Sequence, residues 1–257
     1  MSSFAPGYPR DEQGRIVFPK DYRWRKELIV KEATHHPAKN SLYIYQELVN
    51  YLTQPGDTVM DIMAGSGSVL LAAKMGRRVV AIELALDFYG WLLQSRDKMG
   101  LTDEQAIILQ GDCRKLLPLQ ASCIIFSPPY GNVIKEASAR GSGEERGVWQ
   151  IASYMESDLA RLNDFLYKEN MAKVYKLCKV SLLPGGYCCA IIRDRIVKGQ
   201  KVEFSYRAAQ AMSAAGLEPH EWHKRKINPS SRAAYNRQQG YLQVDEEHIL
   251  IFRKPGG

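Results

Sequence analysis

The chain has 257 residues, of which 45% are hydrophobic and 25% are charged, values that suit one globular α/β domain or at most two small ones. No stretch approaches about 18 apolar residues, which excludes a transmembrane helix. None of the five cysteines forms a C-x-x-C pair, so no zinc or redox motif is indicated. The start of the chain lacks signal-peptide features, so we expect a cytoplasmic protein with reduced thiols. The net charge of +7 suits a polyanionic partner.

Helices and strands are predicted to alternate along the first half of the chain. Residues 1–32 are rich in proline, glycine and charge and are predicted to form an irregular arm before the domain proper at 33–257. Hydrophobic spacing then predicts helices at 41–53, 68–75 and 88–99 and strands at 58–62, 78–84, 106–110 and 122–126. This alternation is typical of parallel βαβ units.

The second half contains two long polar segments, at 131–160 and at 224–247. Around them the sequence predicts helices at 163–182 and 203–215 and strands at 187–193, 218–224 and 248–252. The fold class predicted is therefore α/β, with a mixed, mostly parallel seven-stranded sheet and helices on both faces.

A glycine turn follows the first predicted strand. Asp61 lies at its start, and Gly65 and Gly67 lack side chains that would keep the backbone away from a ligand. The second strand ends at Glu83, about 20 residues after Asp61, where an acid can accept hydrogen bonds from a ribose diol. A dinucleotide or S-adenosylmethionine would suit this plan. The dinucleotide fingerprint requires a third glycine where this chain has Leu70, which favours S-adenosylmethionine.

An acid also follows the third predicted strand, in Gly111-Asp112-Cys113. From the local sequence, Asp112 either faces the adenine edge of the same ligand or caps a helix or turn, and both interpretations stay open.

The segment Ser127-Pro128-Pro129-Tyr130 follows the fourth strand, at the end where open parallel sheets bind ligands. Two prolines stiffen the backbone and leave its carbonyl oxygens available as acceptors. Ser127 adds a hydroxyl, and Tyr130 adds an aromatic face. Such a segment is suited to hold a planar ring that bears an amino group.

In this order the motifs resemble those of the amino-methylating DNA methyltransferases, the N4-cytosine and N6-adenine class with the cofactor motif N-terminal. The resemblance extends over residues 33–254 and is carried by 36–39, 61–67, 80–83, 111–112, 127–130, 183–186 and 247–252. It implies a single Rossmann-like class I methyltransferase domain with S-adenosylmethionine as cofactor. The residues it implies for cofactor binding are His36, Pro37, Ala38, Lys39, Asp61, Met63, Ala64, Gly65, Ser66, Gly67, Glu83, Leu84, Asp112 and Cys113.

The resemblance also implies a catalytic role for Ser127, Pro128, Pro129 and Tyr130, which would hold the amine during direct methyl transfer. A first residue of Ser favours cytosine N4 over adenine N6. The cytosine-C5 class requires a cysteine nucleophile, typically after proline, and no Pro-Cys occurs in the chain. No metal site is expected, since the five histidines form no ligand pattern.

DNA is the predicted partner, with the target base flipped from the duplex. Two basic segments are predicted to flank a nucleic-acid cleft, with the cations Arg140, Arg146, Lys224, Arg225, Lys226, Arg232 and Arg237. The chain lacks a long separate recognition region, which leaves its base-sequence specificity open, and its oligomeric state is open as well.

Three alternatives remain beside this prediction. RNA is a possible substrate, because Pro-Pro-Tyr segments occur in both kinds of enzyme. A protein-glutamine methyltransferase is disfavoured, since that class prefers Asn where this chain has Ser127. A catalytically degenerate nucleic-acid-binding subunit is disfavoured by the intact glycine turn and Glu83.

Overall fold

The computed structural model describes residues 3–35, 39–129, 159, 162–197, 199–227, 235 and 238–256. The strands are β1 Thr58–Asp61, β2 Arg78–Glu83, β3 Ala106–Gln110, β4 Ala121–Phe126, β5 Leu182–Ile192, β6 Arg195–Val197, β7 Gln200–Val202, β8 Glu218–Lys226 and β9 Glu246–Arg253. The α-helices are α1 Tyr22–Leu28, α2 Leu42–Leu52, α3 Leu71–Lys74, α4 Leu86–Lys98, α5 Cys113–Leu116, α6 Asp164–Ser181 and α7 Phe204–Ala214, with 3-10 turns at Glu32–His35 and Ser68–Leu70.

Seven strands form one sheet in the order β3-β2-β1-β4-β5-β9-β8. The first five strands of the chain pair in parallel, whereas β9 runs antiparallel to both β5 and β8. The strand order reverses direction between β1 and β4, and open α/β sheets bind ligands at such a switch point. The predicted fold class, a mostly parallel seven-stranded sheet, is confirmed.

Apolar residues fill both faces of this sheet, because alternate residues of a strand point to opposite sides. Val59 belongs to the core cluster under α2, α3 and α4, while its neighbour Met60 belongs to the cluster under α5, α6 and α7. In β4, Ile125 and Phe126 divide between the same two clusters. Burial on both faces explains the continuous apolar runs of the central strands.

The N-terminal segment is more ordered than the predicted irregular arm. Phe4, Ile16 and Phe18 are buried in the core, and residues 22–28 form α1. Ile16 also hydrogen-bonds along β8, donating to the carbonyl of Lys224 at 2.8 Å and accepting from the amide of Lys226 at 2.9 Å. The high content of proline and charge hid these few scattered apolar residues in the sequence. Their packing against the core, and not local propensity, orders the segment.

Two of the predicted boundaries that differ concern strands β5 and β8. Strand β5 begins at Leu182, earlier than predicted, because residues 183–186 bulge out between the pairs Ala121–Leu182 and Cys123–Tyr187. Strand β8 continues to Lys226, so the first three cations of the predicted basic loop lie in a strand. The helix α5 and the small hairpin of β6 and β7 were not predicted, because three- and four-residue elements carry no detectable periodicity.

Candidate active site

The carboxyl ends of β1, β2 and β4 place three polar side chains at one edge of the sheet. Asp61 pairs in register with Ala81, so Glu83 lies just beyond it on the neighbouring strand. On the other side Met60 pairs with Ile124, which places Ser127 beyond the end of β4 at the same edge. These three residues, all singled out from the sequence, thus lie at the switch point.

Glu83 is tied to the glycine turn by backbone hydrogen bonds. Its two carboxylate oxygens accept the amides of Gly65 and Ala85, each at 2.8 Å, and its exposed fraction is 8%. A carboxylate has about four acceptor positions, so the same oxygens can also accept hydroxyl hydrogens. Gly67 has φ +84°, and a Cβ there would lie 2.8 Å from Leu92 Cδ2. Only glycine satisfies both the conformation and the space.

Asp61 is a buried acid, 2% exposed, at the start of the glycine turn. It accepts the Tyr45 hydroxyl at 2.5 Å and the Met63 amide at 2.9 Å. Burial raises the pKa of Asp61 to about 7, which the Glu83 charge also favours, while the two hydrogen bonds act in the opposite direction. Burial likewise raises the pKa of Tyr45 well above its usual value. Tyr45 was not singled out from the sequence, where it is one apolar position of a helix.

Arg25 enters the same turn from α1. Its guanidinium is 4% exposed and donates to the hydroxyls of Ser66 at 3.4 Å and Ser68 at 3.3 Å. It also donates to Asp21 at 2.8 Å and to the backbone carbonyl of Asn40. The only sequence signal for this residue is its i,i+4 spacing from Asp21, which is common on exposed helices.

Asp112 acts as a helix cap, one of the two roles left open by the sequence. It accepts the Arg114 amide at 2.9 Å as N-cap of α5 and forms an ion pair with the Arg114 guanidinium at 2.6 Å. The Arg114 charge and these hydrogen bonds outweigh desolvation and lower the pKa of Asp112. Cys113 points into the core, where burial raises its thiol pKa to about 12. A contact of either residue with the cofactor stays a prediction.

The hydroxyl proton of Ser127 is used in a hydrogen bond within the protein. Its Oγ donates to the backbone carbonyl of Ile191 on the adjacent strand β5 at 2.9 Å. The oxygen can therefore only accept a hydrogen bond from a ligand. Pro128 is buried and Pro129 half-buried, and the two rings restrict the backbone at these two positions.

The remaining predicted site residues divide into two groups. Among the cofactor candidates, Ala64 and Ser66 are buried in the turn, Met63 and Leu84 are half-buried beside it, and Lys39 lies on the chain leading to α2. Outside the described residues lie His36, Pro37, Ala38, Tyr130, Arg140, Arg146, Arg232 and Arg237.

The cations of β8 are largely paired with acids that the sequence spacing did not reveal. Arg225 is bound to Glu247 at 2.7 Å, with both side chains mostly buried, and Lys224 lies 3.0 Å from Glu246. Lys226 lies 3.9 Å from Asp11. Arg225 is therefore the least suited of the three to contact phosphate, since it would have to leave a buried partner.

The residues present are compatible with S-adenosylmethionine, the cofactor that the resemblance implies. Glu83 supplies acceptors at the position for a ribose diol. The turn at Gly65 and Gly67 allows the backbone to approach a ligand closely, and the acid Asp61 lies at the start of this turn. Within the described residues, no group of three or more His, Cys, Asp or Glu side chains is arranged to hold a metal.

The seven-stranded sheet and its connections define a Rossmann-like α/β domain, a fold that solved structures of methyltransferases share. Three solved structures share the fold. A methyltransferase from Pyrococcus furiosus has a TM-score of 0.50 at 15% identity, over 83% of this chain and 81% of that one. A SAM-dependent methyltransferase from Methanosarcina mazei has a TM-score of 0.54 at 10% identity, over 82% and 98%. A precorrin 8W decarboxylase from Methanobacterium thermoautotrophicum has a TM-score of 0.54 at 16% identity, over 88% and 97%.

The sequence model of the family described as DNA methylase, the N6 and N4 class, matches residues 9–90. This match covers the N-terminal segment, the glycine turn and Glu83, and it supports the resemblance to the amino-methylating DNA methyltransferases. Fold and family match also support S-adenosylmethionine as the cofactor. No curated protein matches the sequence. The helices that the structure describes include none long and apolar enough to cross a membrane.

Proposed function

We propose that this chain is an S-adenosylmethionine-dependent DNA methyltransferase that acts in the cytoplasm on an exocyclic amine of a base, preferring N4 of cytosine to N6 of adenine. The observation that carries the proposal is the hydrogen bond from Ser127 Oγ to the carbonyl of Ile191. It makes the first residue of the Ser-Pro-Pro-Tyr segment an acceptor, at the edge of the sheet where the cofactor turn also lies.

An acceptor at this position suits an amine and not a carbonyl. The exocyclic nitrogen of a base carries two hydrogens and a lone pair delocalised into the ring. Accepting those hydrogens at Ser127 Oγ and at the Pro128 carbonyl would hold the nitrogen in the more nucleophilic geometry. Tyr130 would stack on the extruded ring.

The cofactor, when bound, supplies a methyl group activated by the sulfonium charge. In a direct transfer the amine nitrogen would take the methyl group and release one proton to water, with the neutral thioether of the cofactor as leaving group, so no covalent enzyme intermediate would be needed. The contribution of this chain is positioning: Glu83 and the turn at Gly65 hold one reactant, and Ser127 and Pro128 hold the other. Leu70 in place of a third glycine supports S-adenosylmethionine over a dinucleotide.

The family match to DNA methylases favours DNA as the substrate. The cations assigned to the cleft would contact phosphates, and the target base would leave the duplex at a cost of a few kcal/mol. Lys224 and Lys226, with side chains exposed by 45% and 42%, remain candidates for this contact.

The first test is incubation of the purified protein with labelled S-adenosylmethionine and genomic DNA or RNA, followed by nucleoside analysis. We expect N4-methylcytosine in DNA. Label in RNA alone would contradict the DNA assignment, and N6-methyladenine alone would contradict the preference for cytosine.

The role of Ser127 is tested by Ser127→Ala, with Ser122→Ala as the matched control. Ser122 lies on β4, the strand that leads to Ser127, and its hydroxyl donates to Asp57 at 3.0 Å, away from the site. Loss of the acceptor should lower the transfer rate by about 100-fold while cofactor affinity is kept. Normal turnover of Ser127→Ala would remove the basis of the proposal.

A further inference from the structure

Arg25 is the buried charge of the N-terminal segment at the glycine turn. It links three parts of the chain: Asp21 at the start of α1, the carbonyl of Asn40 before α2, and the serine hydroxyls on either side of Gly67. Asp21 completes the link, because the oxygen that pairs with Arg25 also accepts the amide of Leu42 at 2.9 Å. The guanidinium is therefore held at a fixed position beside the turn.

The donors and acceptors in this cluster set the directions of the serine hydroxyls. A guanidinium has no acceptor, so the oxygens of Ser66 and Ser68 must accept at both contacts. The proton of Ser68 is directed to the carbonyl of Asn40, at 3.2 Å. The proton of Ser66 must likewise point away from Arg25. Ser66 stands between Gly65 and Gly67, the residues that allow the backbone to approach a ligand.

We propose that Arg25 is a positioning residue for the cofactor: it turns the Ser66 hydroxyl to donate to the carboxylate of the cofactor's amino-acid portion. The inference rests on the proposed cofactor. A second cation lies within electrostatic reach of Arg25: the pKa of Lys39 is lowered by desolvation and by the Arg25 charge, against the opposite effect of Asp21. Binding of an anion would relieve the repulsion between the two.

The test compares two ligands that share an adenosine moiety and differ in the amino-acid portion. S-adenosylhomocysteine carries the carboxylate, and 5′-methylthioadenosine lacks it. Calorimetric titration of Arg25→Met and Ser66→Ala should show affinity for S-adenosylhomocysteine reduced by about ten- to a hundredfold, as for loss of a charge-assisted hydrogen bond. Affinity for 5′-methylthioadenosine should stay within about twofold of that of the unmodified protein.

Coupling between the residues separates positioning from general support of the turn. If Arg25 acts through Ser66, the double variant should lose little more affinity than either single variant. Arg25→Lys, which keeps the charge, should recover part of the affinity. Arg23→Met, an exposed change on the same helix, is the matched control.

Three results would overturn the proposal. They are equal losses for both ligands, strictly additive losses in the double variant, and unchanged affinity in Arg25→Met. If Arg25→Met does not fold by circular dichroism, Ser66→Ala provides the same comparison of ligands. Failure of the unmodified protein to bind either ligand would refute the cofactor assignment itself, whereas intact methyl transfer with equal losses would refute only the role of Arg25.

Discussion

Replacing the buried Asp61 by Asn should make the protein more stable near neutral pH. The carboxyl has a usual pKa of 3.8, and burial raises the pKa to about 7 in the folded protein. A raised pKa means that the folded state binds the proton more tightly than the unfolded chain does. Stability from this group is therefore complete below pH 3.8 and is lost as the pH rises through 7.

The magnitude follows from the separation of the two pKa values. A difference of about 3 units at about 1.4 kcal/mol per unit gives a destabilisation of roughly 4 kcal/mol when Asp61 is fully ionised. Asn has nearly the same shape as the protonated acid: its one side-chain oxygen can accept the Met63 amide, and its NH2 group can donate to the Tyr45 oxygen, which reverses that hydrogen bond. We therefore expect Asp61→Asn to raise the free energy of unfolding by a few kcal/mol at about pH 8.

Urea denaturation of the cofactor-free protein at about pH 5 and pH 8 provides the measurement. The difference between wild type and variant should be large at the higher pH and less than half as large at the lower one. Asp103→Asn, at a side chain 84% exposed, is the control and should show no such pH dependence. If Asp61→Asn is equally stable or less stable than wild type at pH 8, the account of a strained buried carboxylate is wrong.

Two further predictions concern the same turn. If the ammonium group of the cofactor lies near Asp61, it will favour the ionised acid. The affinity for S-adenosylhomocysteine, measured by calorimetry, should then rise between about pH 6 and pH 8. An affinity independent of pH would show that the two groups do not interact. Gly67→Ala should lower the free energy of unfolding by about 1–3 kcal/mol, because it forces a φ of +84° on alanine and brings its Cβ within 2.8 Å of Leu92; an unchanged thermal midpoint would contradict the geometry of the turn.

The sequence predicted what local patterns encode. The strand–turn–helix around Gly65, the acid at Glu83 and the proline pair at Pro128 carry their information in short, contiguous spacing. Parallel strands then bring these segments to one edge of a sheet without any further assumption. The seven strands of the large sheet were also predicted, since each is long enough to show its pattern.

Interactions between distant segments could not be predicted. The roles of Arg25 and Tyr45 depend on which helix face meets the turn, and neither residue stands out in its own segment. The pairing of Arg225 with Glu247 follows from the register of the antiparallel strands β8 and β9. The basic stretch contains no acid in its own sequence, but this register places acids of β9 beside it. The bulge at 183–186 depends in the same way on a neighbouring strand.

The N-terminal segment contacts two parts of the chain that lie at very different distances from it in the sequence. Arg25 contacts Asn40 and Ser66, which both lie within the first 66 residues of the chain. Ile16, in contrast, hydrogen-bonds to β8, and Arg15 hydrogen-bonds to Asp245, which lies 230 positions later in the sequence. Contacts of such separation close late in folding. We therefore expect the segment to be anchored first at the glycine turn and only at the end of folding to cover the edge of β8, which until then could pair with another chain.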